Sequence, residues 1–242
     1  MASNQTALEL SSARIVRHAG ILSGQLQSLR ERMYPPEAQK SLRSFMINEV
    51  SRLTSIPEST LKTMSLEGKG PVPARLDNNH RVYALDQVNE LREMFATVKP
   101  QDALRFLPRR RKGEHLQVIG IANFKGGSAK TTTSVHLCHY LALHGYRVLA
   151  VDLDPQASLS AMFGAQPEMD VGENETIYAA LRHDENRRPI SEVIRRTYFA
   201  GVDLIPGNIE VMEYEHEIPR VISGGGKGGA LFFEQLREAL RQ

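Results

Sequence analysis

An apolar run, Val118-Ile-Gly-Ile-Ala122, leads directly into Asn123-Phe-Lys-Gly-Gly-Ser-Ala-Lys-Thr-Thr-Thr133, and a stretch with helical apolar spacing continues to His144. A strand, a turn of small residues and a helix start, in that order, aim several backbone N–H groups at one point. The positive end of the helix dipole lies at the same point, so the geometry suits a phosphate. Gly126, Gly127, Ser128, Ala129, Lys130, Thr131 and Thr132 form the expected cradle. Lys130 supplies a point charge for β- and γ-phosphates, and the Thr131 hydroxyl suits Mg²⁺. The common spacing G-x-x-x-x-G-K-[ST] fails at both glycines, which are Phe124 and Ala129 here. A second lysine, Lys125, stands instead just before Gly126-Gly127. A ligand-free turn needs neither lysine.

The segments after the loop read as one fold class. A helix over 129–144 and an apolar run from Arg147 to Asp152 complete a strand–helix–strand unit, which implies parallel strands in an α/β sheet. The run Tyr146-Arg-Val-Leu-Ala-Val-Asp-Leu-Asp-Pro-Gln156 sets Asp152 and Asp154 at the carboxyl end of its strand, the edge where parallel sheets hold ligands. Acids at that edge bind Mg²⁺ through water or orient an attacking water; capping a helix is their other use. A further strand is expected over Val202–Pro206, broken by Pro206-Gly207, with Asn208 capping the next helix. Helices around 208–222 and 230–241 continue the alternation.

The pattern K-G-G-x-x-K-[ST]-T at Lys125–Thr132 resembles the deviant Walker A motif of the ParA/MinD family of ATPases. That resemblance implies a P-loop NTPase parallel sheet, with ATP and Mg²⁺ as cofactors and catalytic roles for Lys125, Lys130 and Asp154. In that family the early lysine reaches across a nucleotide-sandwich dimer to the partner's phosphates, so Lys125 implies a homodimer. The run D-x-D-P-Q at 152–156 resembles the family's second motif. By that match Asp154 positions the hydrolytic water, and Asp152 joins Thr131 in holding the Mg²⁺ shell. Gly201-Val-Asp-Leu-Ile-Pro-Gly-Asn208 resembles the plasmid-borne branch. The family's next apolar strand ending in an acid, and its base-binding segment, are expected beyond Gln242. On this reading the sheet is incomplete, and this polypeptide alone is expected to hydrolyse ATP weakly or not at all.

Upstream, punctuation separates three further segments. Leu8, Ile15, Leu22 and Leu29 recur every seven residues, each followed after four by Ser12, Ala19, Leu26 or Met33. This heptad-like seam suits an N-terminal dimerisation helix over 1–36, or a helix packed on its own domain. Gly20 and Gly24 weaken the isolated helix by about 1 kcal/mol each. Within 37–107, short helices over 41–53 and 57–65 are joined by a tight turn that buries Ile56, and an irregular stretch over 68–79 precedes a helix over 86–96. The pattern fits a helix-turn-helix or a small helical packing domain. As a helix-turn-helix it presents Ser59, Thr60, Lys62 and Thr63 to DNA. The stretch after it resembles a MerR-like wing, with Lys69, Arg75 and Arg81 as phosphate contacts, so an all-α MerR-like winged helix-turn-helix domain is expected. Arg109-Arg-Arg-Lys112 closes a basic linker, 108–115, that touches DNA or only keeps the chain soluble; the nucleotide domain occupies 116–242. This arrangement resembles the longer ParA and RepA proteins of low-copy plasmids.

The resemblance implies a plasmid-partition ATPase that binds operator and nonspecific DNA, autoregulates its operon and works with a ParB-type partner. The alternative is a transcriptional repressor whose nucleotide domain only regulates or is inactive. The net charge of +2 points to no partner by itself, so DNA binding must rest on local patches. One cysteine, Cys138, leaves no internal disulfide framework, and no apolar run reaches membrane-spanning length. The chain is expected in the cytoplasm and on the nucleoid. His136, Cys138 and His139 are explained better by packing on the sheet than by a metal. The run 223–229 reads as a flexible loop.

Overall fold

Helix α1 (Ala2–Met33) spans 32 residues, so Gly20 and Gly24 do not interrupt it. In the computed structural model, residues 2–33, 40–182 and 184–213 are described. They fall into two compact units, Met1–Lys40 and Ser41–Gln242. On α1 the seam residues Ile15, Leu22, Leu26, Leu29 and Met33 are all at least half exposed. The Leu8 side chain and the Pro35-Pro36 stop lie outside the described residues.

The second unit begins with β1 (Phe45–Met46) and α2 (Ile47–Thr54). Glu49 sets the start of α2, because its carboxylate accepts the Met46 N–H at 2.8 Å and both Arg43 guanidinium nitrogens at 3.0 and 2.7 Å. Ser55 ends the helix in the left-handed region, and Pro57 opens α3 (Glu58–Leu66). Ile56, in the turn, is buried against both. Strands β2 (Ala74–Arg75) and β3 (Arg81–Tyr83) then form a hairpin, whose turn places Asn79 at φ 61°. β1 pairs with the other edge of β3, giving an antiparallel sheet in the order β1-β3-β2. The segment is therefore α+β, not all-α. Helix α4 (Leu85–Val98) and the short α5 (Ala103–Phe106) complete it.

Helix α6 (Lys130–Leu143), strand β4 (Val148–Val151), α7 (Ser158–Met162), α8 (Ile177–Leu181), β5 (Arg195–Arg196) and β6 (Val202–Ile205) complete the described chain. β4 runs parallel to β6 in the register Val148↔Val202 to Val151↔Ile205, as a crossover connection requires. β5 lies antiparallel on the far side of β6. The sheet is mixed rather than purely parallel, because a short polar strand returns to it. The expected strand over 116–122 does not form. Val118 and Ile119 are 69% and 62% exposed, and no described strand pairs with them. An apolar run gives a tendency to be buried, but the ladder comes from a neighbour.

One core joins the two halves of this unit. Val50, Ile56, Leu61, Tyr83, Val88 and Leu91 share a cluster with Val135, Cys138 and Ala142 of α6 and Val202 and Leu204 of β6. A second cluster, around Ile177, Leu181, Val193 and Ile205, lies under α8. The expected helix over 230–241, the loop 223–229 and all but residues 208–213 of the helix over 208–222 lie outside the described residues.

The Glu49 carboxyl titrates at about 2, held down first by its hydrogen bonds from Arg43 and then by that from the Met46 N–H. A carboxyl lowered by folding stabilises the native state above its unfolded pKa, and the stabilisation is lost as pH falls through the folded one. Chemical denaturation should show wild type more stable than Glu49→Gln above the unfolded pKa of about 4.3, with the gap closing as the pH approaches 2.

Candidate functional site

The phosphate-loop residues stand at the start of α6 in a backbone that only unusual torsions allow. Gly127 has φ 71° and Ala129 φ 60°, both left-handed. Left-handed alanine is strained by about 1–2 kcal/mol, and such strain gathers at functional sites. Ala129 caps α6 without any side-chain hydrogen bond. Only at Thr133 does a first-turn N–H find a carbonyl, that of Ala129 at 2.8 Å. The N–H groups of Lys130, Thr131 and Thr132 are thus left for a ligand, as at any uncapped helix start. The Ser128 Oγ is buried with no hydrogen-bond partner among the described residues. Asn123 Oδ1 accepts the Lys125 N–H at 2.9 Å and holds the loop entrance. Lys125, Gly126 and Gly127 are exposed, and Lys130 and Thr131 are half-buried. The donors and cations present fit the triphosphate and Mg²⁺ of an ATP complex.

The two acids after β4 differ sharply. Asp152 is 3% exposed, and its Oδ2 accepts the Ser160 N–H at 2.8 Å and the Ser160 hydroxyl at 2.7 Å. Its Oδ1 accepts the Asp154 N–H at 3.2 Å. The Ser160 Oγ in turn accepts the Gly207 N–H at 2.9 Å. A Cβ at Gly207 would lie 3.0 Å from the Asp152 carbonyl and 3.1 Å from that of Asp154, so a larger residue there would press on both backbone carbonyls. Burial pushes the Asp152 carboxyl up, against the pull of its hydrogen bonds. Asp154 is exposed, and its Oδ1 accepts only the Gln156 N–H at 3.0 Å among the described contacts. Asp152 fixes the loop; Asp154 is left on its surface.

A family model for an AAA domain matches residues 116–241. The chain belongs to this AAA-domain family. Among curated relatives, a Sinorhizobium fredii protein provisionally named replication protein A is 45% identical over 229 residues, 94% of this chain and 56% of that protein. Protein SopA of Escherichia coli K12 is 31% identical over 190 residues, covering 76% of this chain and 46% of SopA. A ParA family protein of Chlamydia trachomatis is 35% identical over 119 residues, 44% of each chain. The chain spans about half the length of the curated relatives it matches. The AAA-domain match and these relatives together mark residues 116–213 as the described part of a ParA-type P-loop segment.

Outside the AAA-domain segment, Ser59, Lys62 and Thr63 of α3 face solvent and Thr60 is half-buried, while Leu61 anchors the helix inside. Lys62 pairs with Glu58 at 3.4 Å and Lys69 with Glu67 at 2.8 Å. Arg75 donates to Asn79 Oδ1 at 2.6 Å and so stiffens the hairpin turn. Arg81 donates to Ser65 Oγ at 3.1 Å, tying β3 to α3. In the basic linker, Arg109 pairs with Glu93 and Arg111 with Glu114. His139 stacks on Phe199 at 4.2 Å, and the described residues include no group of three or more metal-ligating side chains. No described helix is long and apolar enough to cross a membrane.

Two residues were invisible to motif reading. Ser160 sits in an unremarkable Ser-Leu-Ser-Ala run, and only the fold brings it to Asp152. Arg92 falls four residues after Val88 and seven after Leu85, on the face that α4 buries, so helical spacing was the signal that could have found it. Asp152→Ala leaves the donors of Ser160 and Asp154 without their acceptor and should destabilise the chain by about 3 kcal/mol. Asp154→Ala, on the surface, should stay within about 0.5 kcal/mol of wild type, both read by urea unfolding.

Proposed function

We propose that this chain acts in plasmid partition as a ParA-type ATPase: it binds ATP with Mg²⁺ at the loop 125–132, dimerises on nucleotide and binds DNA. The observation that carries the reading is the uncapped start of α6, with Lys130 and Thr131 on its first turn and Lys125 exposed before it. Gly126 to Thr132 would hold the phosphates through backbone N–H groups and the Thr131 hydroxyl would hold Mg²⁺, which would neutralise phosphate charge. Asp154 orients the hydrolytic water, while Asp152 serves the Mg²⁺ shell through the loop it fixes. Lys125 acts in the partner's site. The seam of α1 takes a second copy of itself, and a ParB-type protein is the partner that stimulates release from the nucleoid.

DNA recognition falls to α2, α3 and the β2–β3 hairpin, a winged helix-turn-helix. Ser59, Thr60, Lys62 and Thr63 enter the groove, while Lys69 and Arg75 contact phosphates and Arg81 steadies the wing. Surface ion pairs such as Lys62–Glu58 contribute little to stability, so these lysines change partner at small cost. The second reading, a repressor with a regulatory or inactive nucleotide domain, is favoured by the packed helix pair and hairpin beside the unpaired segment 116–122.

Calorimetric titration with ATP and Mg²⁺ separates the two. Lys130→Ala should weaken ATP binding at least ~10-fold, about 1.4 kcal/mol, without unfolding the chain. DNA binding that persists with no ATP affinity in wild type would leave only the repressor. In parallel, Lys62→Ala and Arg75→Ala should each lower the slope of log K against log salt by about 1, measured by anisotropy on duplex DNA. Unchanged slopes would remove α3 and the hairpin from the interface.

A further inference from the structure

Arg92 is 1% exposed, and no carboxylate pairs with it among the described residues. Its Nη1 donates to Asn89 Oδ1 at 2.7 Å. Its Nη2 donates to two carbonyls, Leu53 at 3.1 Å and Leu143 at 2.5 Å. Leu53 lies in the last turn of α2, and Leu143 is the last residue of α6. Both carbonyls sit at the negative ends of helix dipoles, where a cation is favoured. Burial lowers the guanidinium pKa to about 10, so it stays charged near neutrality. The turn after α6 is moulded to this side chain: Gly145 has φ +90°, and a Cβ there would lie 3.1 Å from Arg92 Cδ and Nε.

A buried guanidinium without a counter-ion is a costly way to fill space. What it provides is a planar fork that fixes two carbonyls from separate segments in one geometry. The other end of α6, 14 residues and about 20 Å away, is the uncapped start of the phosphate loop. The 2.5 Å bond from Arg92 to Leu143 does not survive a shift of α6 unless α4, which carries Arg92, moves with it, and the bond to Leu53 ties α2 to that movement. Helix α6 thus carries the phosphate loop at one end and the Leu143 carbonyl at the other, and Arg92 on α4 attaches that end to α2.

We propose that Arg92 is a positioning residue that couples the phosphate loop to the α2–α3 pair, so that nucleotide binding changes DNA affinity through α6. The inference rests on the reading that the loop takes ATP and the helix pair takes DNA. Coupling between sites is reciprocal, so DNA must change nucleotide affinity by the same factor.

The test uses the full chain and a labelled duplex carrying the sequence upstream of its own gene. Anisotropy gives DNA affinity without nucleotide, with ADP and Mg²⁺, and with ATP and Mg²⁺. Wild type should show a nucleotide-dependent change of about fivefold or more, mirrored in the effect of the duplex on ATP binding. In Arg92→Met the factor should fall to one while each ligand measured alone still binds as in wild type; Arg92→Lys, which keeps the charge but loses the fork, should restore part of it. A merely structural arginine would lower stability and leave the factor intact, and that result overturns the proposal. So does a wild-type factor of one when both ligands bind. Failure of wild type to bind ATP or DNA at all removes the functional reading, and this inference with it. Should Arg92→Met not fold, hydrogen exchange on wild type decides: ATP with Mg²⁺ should alter exchange across residues 47–66, and unaltered exchange with ATP bound overturns the coupling.

Discussion

Helix α6 has to satisfy two neighbours with one side and one end. Val135, Cys138 and Ala142 form its buried stripe, and that stripe belongs to the same core as Val50, Leu61 and Val88. Burying a valine or leucine side chain contributes about 1.5–3 kcal/mol and the smaller Cys138 and Ala142 less, so the helix pair and the β4–β6 sheet cannot be repositioned separately without exposing the stripe. The far end of α6 is held by Arg92 and its start by the left-handed turn at Ala129. A loop that binds anions needs fixed N–H directions, and it obtains them here from a helix clamped along its length rather than from side-chain caps. The unfilled donors at Lys130 to Thr132 are tolerated because they face solvent, where water satisfies them until a ligand does.

Much of this was legible from residue order. The loop announced itself through the spacing of Lys125, Gly126, Gly127, Lys130 and Thr131, which no simple turn requires. The break between α2 and α3 was readable because Ser55 and Pro57 interrupt the helix, but the start expected at 41 lies at Ile47, because Phe45–Met46 pairs as β1. The β2–β3 hairpin was indicated only by the resemblance to a wing, since its strands are two and three residues long and carry no alternation to detect; the left-handed Asn79 makes it possible. β5 was invisible for a related reason. Two consecutive arginines do not look like a strand, and Arg195 lies there because its guanidinium reaches Glu175 and the Asp170 carbonyl. The run 116–122 erred the other way: its apolar residues read as a strand, but pairing depends on a neighbour that local sequence does not contain.

Asp152 and Asp154 show where order of residues stops being informative. In a D-x-D run the two acids look interchangeable, and resemblance alone assigns them roles. The fold separates them through Ser160, eight residues on, and Gly207, which closes over the loop from β6. A buried acid with all its acceptors engaged holds backbone in place, whereas an exposed acid two residues further is free to meet water. Ser160 and Gly207 therefore belong to the site although neither has chemistry of its own to offer.

The same distinction bears on the two lysines of the loop. Lys130 is half-buried on the first turn of α6, and under the proposed function it would serve phosphates in its own chain. Lys125 is exposed and engages only its backbone N–H, with Asn123, among the described contacts. Beside it Phe124 is fully exposed, with nothing in its own unit to cover it among the described residues. Under the proposed dimer, a second molecule would complete this surface and Lys125 would meet the partner's phosphates.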